Sequence, residues 1–446
     1  QNYLNKSLFL FSMQDIIIGR LEKDRLKYGK RGTIFIGKQY IHMGQTTSLT
    51  NTINLDVASS HVIFICGKRG SGKSYTMGVI AEGVSDLPED VKQNVSIILL
   101  DTMGVYWTMK YPNKEDELLL KEWKMKSKFL PIKIYTPTAF YKEFRDKGIP
   151  TDYPFAIKTS DLNAEDWCLT FEQDINSPLG VLIEQTILET KKQNKLFDID
   201  DIISALKKDS ESDPVVKNAA INRFKNAKEW GIFSKEGTEM NELAAGGQVT
   251  VLDMSPYATM ERGWKIKSLV VGLISKKLFN QRMIARKEEE QQSVTESMHY
   301  FTEEKKRKLD RPLVWLVIDE AHEFLPRDGK TAASDSLITI LREGRQPGIS
   351  LILASQQPGK IHTDVMTQAD TVISHRITAK MDVEALGLLM QSYMRQGLDK
   401  ELDALPREKG SALIFDDSNE RLYQVKIRPR FTWHGGGSPN ALKDEE

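Results

Sequence analysis

The run from His61 to Ser74, H-V-I-F-I-C-G-K-R-G-S-G-K-S, constrains this chain more than any other stretch. Val62 to Cys66 are apolar and mostly β-branched or aromatic, the make-up of a short buried strand. Gly67 ends that run, Gly70 and Gly72 follow, then Lys73 and Ser74, and a helical pattern continues from Tyr75 to Glu82. Strand, G-x-x-x-x-G-K-S, helix is the P-loop in its proper setting. The glycines let successive backbone N–H groups face one point, and the helix N-terminus adds positive potential there. Gly67, Lys68, Arg69, Gly70, Ser71, Gly72, Lys73 and Ser74 are therefore candidate nucleotide-binding residues. Lys73 suits the β- and γ-phosphates, and the Ser74 hydroxyl suits Mg²⁺. A dinucleotide fingerprint is excluded, since no G-x-G-x-x-G is present.

A second apolar run, Leu313-Val-Trp-Leu-Val-Ile318, follows the break at Arg311-Pro312 and ends in Asp319-Glu320. This is the Walker B pattern. Asp319 is the candidate second metal ligand, opposite Ser74, and Glu320 the candidate general base toward water. Ile349 to Ala354 predicts another buried strand, and it ends in Ser355-Gln356-Gln357-Pro358. A polar amide at this strand end beside Walker B suits a sensor that touches the γ-phosphate or the attacking water. Arg342 and Arg345 close the helix predicted over 332–345 and share a face three residues apart. Val95 to Leu100 predicts a strand ended by Asp101, which suits either a ligand-facing carboxylate or the cap of the following turn.

Zero formal net charge removes any global field toward nucleic acid, although it leaves a local basic patch open. The two cysteines, Cys66 and Cys168, form no C-x-x-C, so a reducing, cytoplasmic setting without zinc is expected. No apolar run is long enough for a transmembrane helix, and no signal peptide is visible. The organisation expected is a β-rich N-terminal portion over 1–60, with runs at Leu8–Phe11, Ile16–Ile18, Thr33–Ile36 and Gln39–His42. An α/β core follows over 61–137, then a helical insertion over 138–245, the second part of the core over 246–428, and a tail over 429–446 whose glycines suggest flexibility. Arg223 to Phe233 reads as an amphipathic packing helix ahead of a nucleic-acid surface. A long helix from Arg262 to Arg286 ends in the charged stretch 287–292, and Lys305, Lys306 and Arg307 lie in a further charged stretch with a lumen-facing role as the minority reading.

Together, the P-loop, Asp101-Thr-Met-Gly-Val-Tyr106, Asp319-Glu-Ala-His322, Leu341-Arg-Glu-Gly-Arg-Gln346 and Ala354-Ser-Gln-Gln-Pro358 resemble HerA-like ATPases of the FtsK–HerA superfamily. The resemblance covers most of residues 33–434. It implies an α/β, RecA-like core, an N-terminal β-barrel in whole or in part, and a homo-hexameric ring. It further implies that ATP hydrolysis threads double-stranded DNA through the pore. It assigns Arg345 as an arginine finger supplied to the neighbour's γ-phosphate, Gln356 as the sensor, and the tail as a segment covering a neighbouring nucleotide. ATP and Mg²⁺ are the implied cofactors. A nuclease such as NurA, or an effector enzyme of an antiviral defence complex, is the implied partner. Two other functions remain open: an ATPase ring that serves as scaffold and switch for an effector, and a secretion or conjugation motor.

Overall fold

The P-loop strand is buried on both faces because its residues alternate between two hydrophobic clusters. Ile63 and Ile65 enter one, and Phe64 and Cys66 enter the other. This explains the unbroken apolar run. The computed structural model describes residues 15–43, 46–298, 308–377, 379–389 and 398–437. The run at Leu8–Phe11 and the cations Lys305, Lys306 and Arg307 lie outside the described residues.

In chain order the strands begin with β1 (Asp15–Ile18), β2 (Thr33–Met43), β3 (Thr46–Asp56), β4 (Val62–Cys66) and β5 (Val95–Asp101). They continue with β6 (Lys133–Pro137), β7 (Tyr153–Phe155), β8 (Ile157–Lys158), β9 (Phe233–Ser234) and β10 (Val249–Asp253). The last are β11 (Leu313–Ile318), β12 (Ile349–Ser355), β13 (Thr371–His375), β14 (Ser411–Asp416) and β15 (Arg421–Ile427). Thirteen of them make one sheet in the order β1-β3-β2-β15-β14-β13-β4-β12-β11-β5-β10-β6-β7, while β8 and β9 pair separately. From β13 to β7 every neighbouring pair is parallel. The antiparallel strands β14, β15 and β2 extend this run toward the N-terminal strands. Within 1–60, β1 to β3 therefore continue the main sheet by hydrogen bonding. The architecture is α/β and RecA-like: β12 is inserted between the P-loop strand β4 and the Walker B strand β11.

The helix Lys73–Ser85 covers one face, through Met77, Val79 and Ile80. Helices Gly263–Met298 and Ser334–Glu343 cover the other, through Val270, Ile274, Leu337 and Leu341. The region 138–245 is mostly helical. Asp198 caps one of its helices in a reciprocal capping box with Asp201. Phe224 is fully buried and its ring meets Trp167 edge-on at 5.0 Å, so the basic-aromatic stretch from Arg223 packs a core. The long helix continues through the charged stretch to Met298, where the sequence places a solvated end after Arg286.

The described part of the tail departs from its glycine-rich composition. Arg430, Phe431 and Thr432 are buried, and they lie on the P-loop helix of their own chain. Glu82, itself without exposure, receives the Arg428 guanidinium at 2.7 Å, the Arg430 Nε at 3.2 Å, the Thr432 hydroxyl at 2.6 Å and the Thr432 N–H at 3.0 Å. Charge-assisted bonds of this kind hold an extended segment that composition alone leaves loose.

Candidate active site

Open parallel sheets bind ligands at the carboxyl ends of their strands, and four sequence motifs meet there. Gly67, Gly70 and Gly72 have φ of 155°, 72° and 113°. The last two values are left-handed and suit glycine. They curl the chain from the end of β4 into the helix that starts at Lys73. Lys68, Arg69 and Gly70 are exposed on the loop's outer rim. Lys73 is buried, and its Nζ donates to the carbonyls of Gly67 (3.0 Å) and Lys68 (3.3 Å). Burial pulls its pKa down, and Asp319 and Glu320 oppose that. The ammonium is folded back on its own loop, where a triphosphate would offer it better acceptors.

Strand order does the rest. Ile318 pairs with Leu353 across β11 and β12, and Ser355 pairs with Cys66 across β12 and β4. Gln356 is thereby delivered between the P-loop and Walker B. Its amide donates to Glu320 Oε1. Ser74 Oγ donates to Asp319 Oδ2 at 2.7 Å, so the two candidate metal ligands already face each other. Glu320 occupies left-handed backbone (φ 51°), a strained conformation for this residue, fixed by its N–H donating to Asp319 Oδ1 at 2.8 Å. Burial first, then the Asp319 charge, raises the Glu320 pKa, while the Gln356 bond lowers it. Its other oxygen, Oε2, is buried without a hydrogen-bond partner, as is Ser71 Oγ. Orphaned groups facing a phosphate loop are what a nucleotide and an attacking water would satisfy.

Among the described residues no group of three His, Cys, Asp or Glu side chains is placed to hold a metal ion. Ser74 and Asp319 fit a Mg²⁺ whose remaining ligands are phosphate oxygens and water. Beside the loop, a cavity of about 470 Å³ runs past Ser74 and Tyr75 to Leu119, Trp123, Pro429 and His434, with room for a nucleoside. Its wall includes the tail of the same subunit. The described tail thus lines a pocket beside the P-loop of its own subunit.

Asp101 resolves as a turn cap. It accepts the N–H groups of Met103, Gly104 and Tyr106 at 3.2, 2.7 and 2.9 Å. Burial and the neighbouring Asp253 carboxylate raise its pKa. The turn places Tyr106, whose hydroxyl donates to Ser74 O at 3.4 Å. His375, at the end of β13, is a contributor no motif announces. Its Nε2 accepts from Thr76 Oγ1 at 2.8 Å and its Nδ1 faces Ser411 O at 3.2 Å, so it steadies the first turn of the P-loop helix. Complete burial pushes its pKa down to about 4 and keeps it neutral. The only signal in the sequence is its position after a core strand.

Arg345 does not join this group. It precedes β12, at the amino end of the strands, and is exposed. The seven residues of β12, at about 3.3 Å each, put roughly 23 Å between its turn and Gln356. It makes no ion pair among the described residues. The expected shared helix face is not formed, because the helix ends at Glu343 and Arg345 lies in the turn beyond it; Arg342, in the last helical turn, pairs with Asp364 at 2.6 Å. Arg376, the other arginine adjoining a core strand and the fallback for the finger, lies at the nucleotide end, its carbonyl accepting from Lys68 N at 3.2 Å.

Residues 34–278, more than half of the chain, match the family model described as Helicase HerA, central domain. The chain belongs to the HerA family of P-loop ATPases. Over 188 residues it is 29% identical to the DNA double-strand break repair helicase HerA of Pyrococcus furiosus, covering 40% of this chain and 32% of that protein. A probable DNA double-strand break repair helicase HerA of Methanocaldococcus jannaschii is 30% identical over 172 residues, 36% of this chain and again 32% of that protein. These matches span about a third of those relatives. A longer match, 22% identical over 429 residues, covers 93% of this chain and 72% of the Sulfurisphaera tokodaii helicase HerA. Among solved structures, VirB4 of Thermoanaerobacter pseudethanolicus shares the fold, with a TM-score of 0.52, 12% identity, and 89% of this chain and 96% of that one covered. No helix among the described residues is long and apolar enough to cross a membrane.

Proposed function

We propose that this HerA-family chain is one subunit of a homo-hexameric ring that hydrolyses ATP to move double-stranded DNA. The observation that carries the reading is the position of Arg345. It is exposed, unpaired among the described residues and at the far end of the sheet from its own P-loop, which keeps it from its own nucleotide and supports a role toward one bound by another subunit.

In this mechanism Lys73 leaves the Gly67 and Lys68 carbonyls for the β- and γ-phosphates of ATP. Ser74 and Asp319 would hold Mg²⁺, which when bound supplies neutralisation of phosphate charge. Glu320, raised in pKa by burial and held by Gln356, takes the proton of the attacking water. Arg345 of the adjacent subunit stabilises charge on the transferring phosphoryl group. Hydrolysis then depends on ring closure, and successive interfaces can fire in turn along the DNA. Only phosphate contacts can track a moving duplex, so binding is sequence-tolerant and salt-dependent. A nuclease or another effector enzyme would use the motion.

The test is ATP hydrolysis by the assembled protein with and without duplex DNA. Stimulation by DNA, with binding that weakens steeply as salt rises, supports the motor. Hydrolysis indifferent to duplex DNA would reject it in favour of a scaffold and switch for an effector.

A further inference from the structure

Beneath the Arg345 turn lies a sealed guanidinium. Arg282, on the Gly263–Met298 helix, is 1% exposed. Its Nε donates to Pro347 O at 2.8 Å, and its Nη1 donates to Arg311 O at 2.7 Å and Glu289 Oε1 at 3.0 Å. One rigid fork thus ties three segments: the finger turn, the entry to the Walker B strand, and its own helix. The turn is tight. Ile349 N donates to Gly344 O at 2.9 Å, and Gly348 N donates to Arg345 O at 3.3 Å. Gly348 sits at φ +82°, and a Cβ there would come within 2.4 Å of Leu313 Cδ2 and 3.4 Å of Arg282 Nη2.

Core packing does not account for this arginine. A buried guanidinium is costly unless every donor is used, and Nη2 is buried with no partner. A methionine would fill the space at less cost. What methionine lacks is the geometry that fixes the Pro347 carbonyl two residues from Arg345. The cavity of about 760 Å³ at this end is lined by Arg282 together with Arg286, Glu289, Arg342 and Arg345. Arg342 is tied to Asp364, and Arg286 to Glu289 and Glu290, which leaves Arg345 to reach outward from the held turn.

We propose that Arg282 is a positioning residue that holds the Arg345 turn in register for its work on the neighbouring subunit's nucleotide. The inference rests on the trans role of Arg345. It makes the long helix and the Walker B strand entry mechanically continuous with the finger, so the state of one subunit's core is felt at the next subunit's phosphates.

The test compares Arg282→Met, Arg282→Lys and Arg345→Ala in the assembled protein. Loss of positioning should lower kcat about a hundredfold for Arg282→Met and about tenfold for Arg282→Lys, with the KM for ATP changed less than about twofold. Co-expression of each with Lys73→Ala gives mixed rings that pair an intact site with an intact finger, and activity should reappear. If Arg345→Ala recovers in mixed rings but the Arg282 variants do not, Arg282 acts on its own site and the proposal is overturned. If Arg345→Ala hydrolyses ATP normally, the trans reading itself has failed. Should Arg282→Met not assemble, Arg282→Lys decides alone: normal kcat overturns the proposal, and a loss recovered in mixed rings supports it.

Discussion

At the carboxyl ends of β4, β11 and β12, the side chains of Ser74 and Asp319, and of Glu320 and Gln356, are hydrogen-bonded in pairs, and Lys73 is folded onto its own loop. At the amino ends of the same strands, Arg345 stands in water above a buried arginine. One end is preorganised to grip a small anionic ligand. The other has its supporting bonds in place and leaves Arg345 exposed, as the proposed ring requires. Each also carries a buried histidine, in opposite charge states. His61 precedes β4 and lies between Asp56 (3.4 Å) and Asp370 (3.2 Å), whose hydrogen bonds outweigh burial and raise its pKa to about 9. His375 at the other end is held neutral, with its pKa lowered to about 4 by burial. A single sheet therefore holds a charged imidazole at its amino end and a neutral one beside its phosphate loop.

The sharpest way to break this contrast is to disable each end and mix the results. Lys73→Ala should abolish nucleotide binding, read by titration with a fluorescent ATP analogue. Arg345→Ala should keep binding and assembly but lose about three orders of magnitude or more in kcat. Rings co-expressed from the two should recover activity, and failure to recover would place both residues in one site. Glu320→Gln should bind ATP and retain it unhydrolysed, with a loss of about two to four orders of magnitude, measured in a single turnover. Gln356→Ala, which frees Glu320 Oε1, should cost roughly a hundredfold in kcat through misorientation. An unchanged rate would remove Gln356 from the site.

The smallest effects lie in pH dependence. His375 has a folded pKa below its unfolded value near 6.5, so between pH 6.5 and 4 only the unfolded chain gains the proton. Stability should fall as pH drops through that window, and His375→Gln should flatten the acid limb. His61 is shifted the other way. Its stabilisation is complete below pH 6.5 and is lost as pH rises toward 9, so His61→Gln should flatten the alkaline limb. Each pKa unit is worth about 1.4 kcal/mol, enough to read by urea titration at several pH values.

The nucleotide end was legible in the sequence because its signals are local. A strand that must be buried on both faces has no polar residue to spare, so Val62–Cys66 and Leu313–Ile318 announce themselves, and the residues just after them carry the chemistry. Strand order was not legible, although it alone puts Gln356 between the two motifs. Asp101 stayed ambiguous because a strand-end carboxylate serves a ligand and a turn equally well, and only three N–H groups pointing at it decide the matter. The roles of His375 and Arg282 depend on partners distant in sequence, which no spacing rule reaches. The tail misled for the same reason. Its three glycines suggest looseness, while the arginines before them answer a glutamate 346 residues upstream.

That distance has a consequence for how the molecule comes into being. Glu82 leaves the ribosome long before Arg428, and at ordinary synthesis rates the interval is roughly twenty seconds to a minute. Until then a carboxylate destined for complete burial has neither of its cations, and desolvating it alone costs several kcal/mol. The P-loop helix must wait, its Glu82 flank wet, until Arg428 and Arg430 emerge 346 and 348 residues later. Released chains ending at residue 427 should therefore be cut by protease near Glu82, whereas released chains that continue past His434 should resist. A chain without Arg428 to Thr432 leaves Glu82 without its cations, so this segment acts as a latch on the P-loop helix.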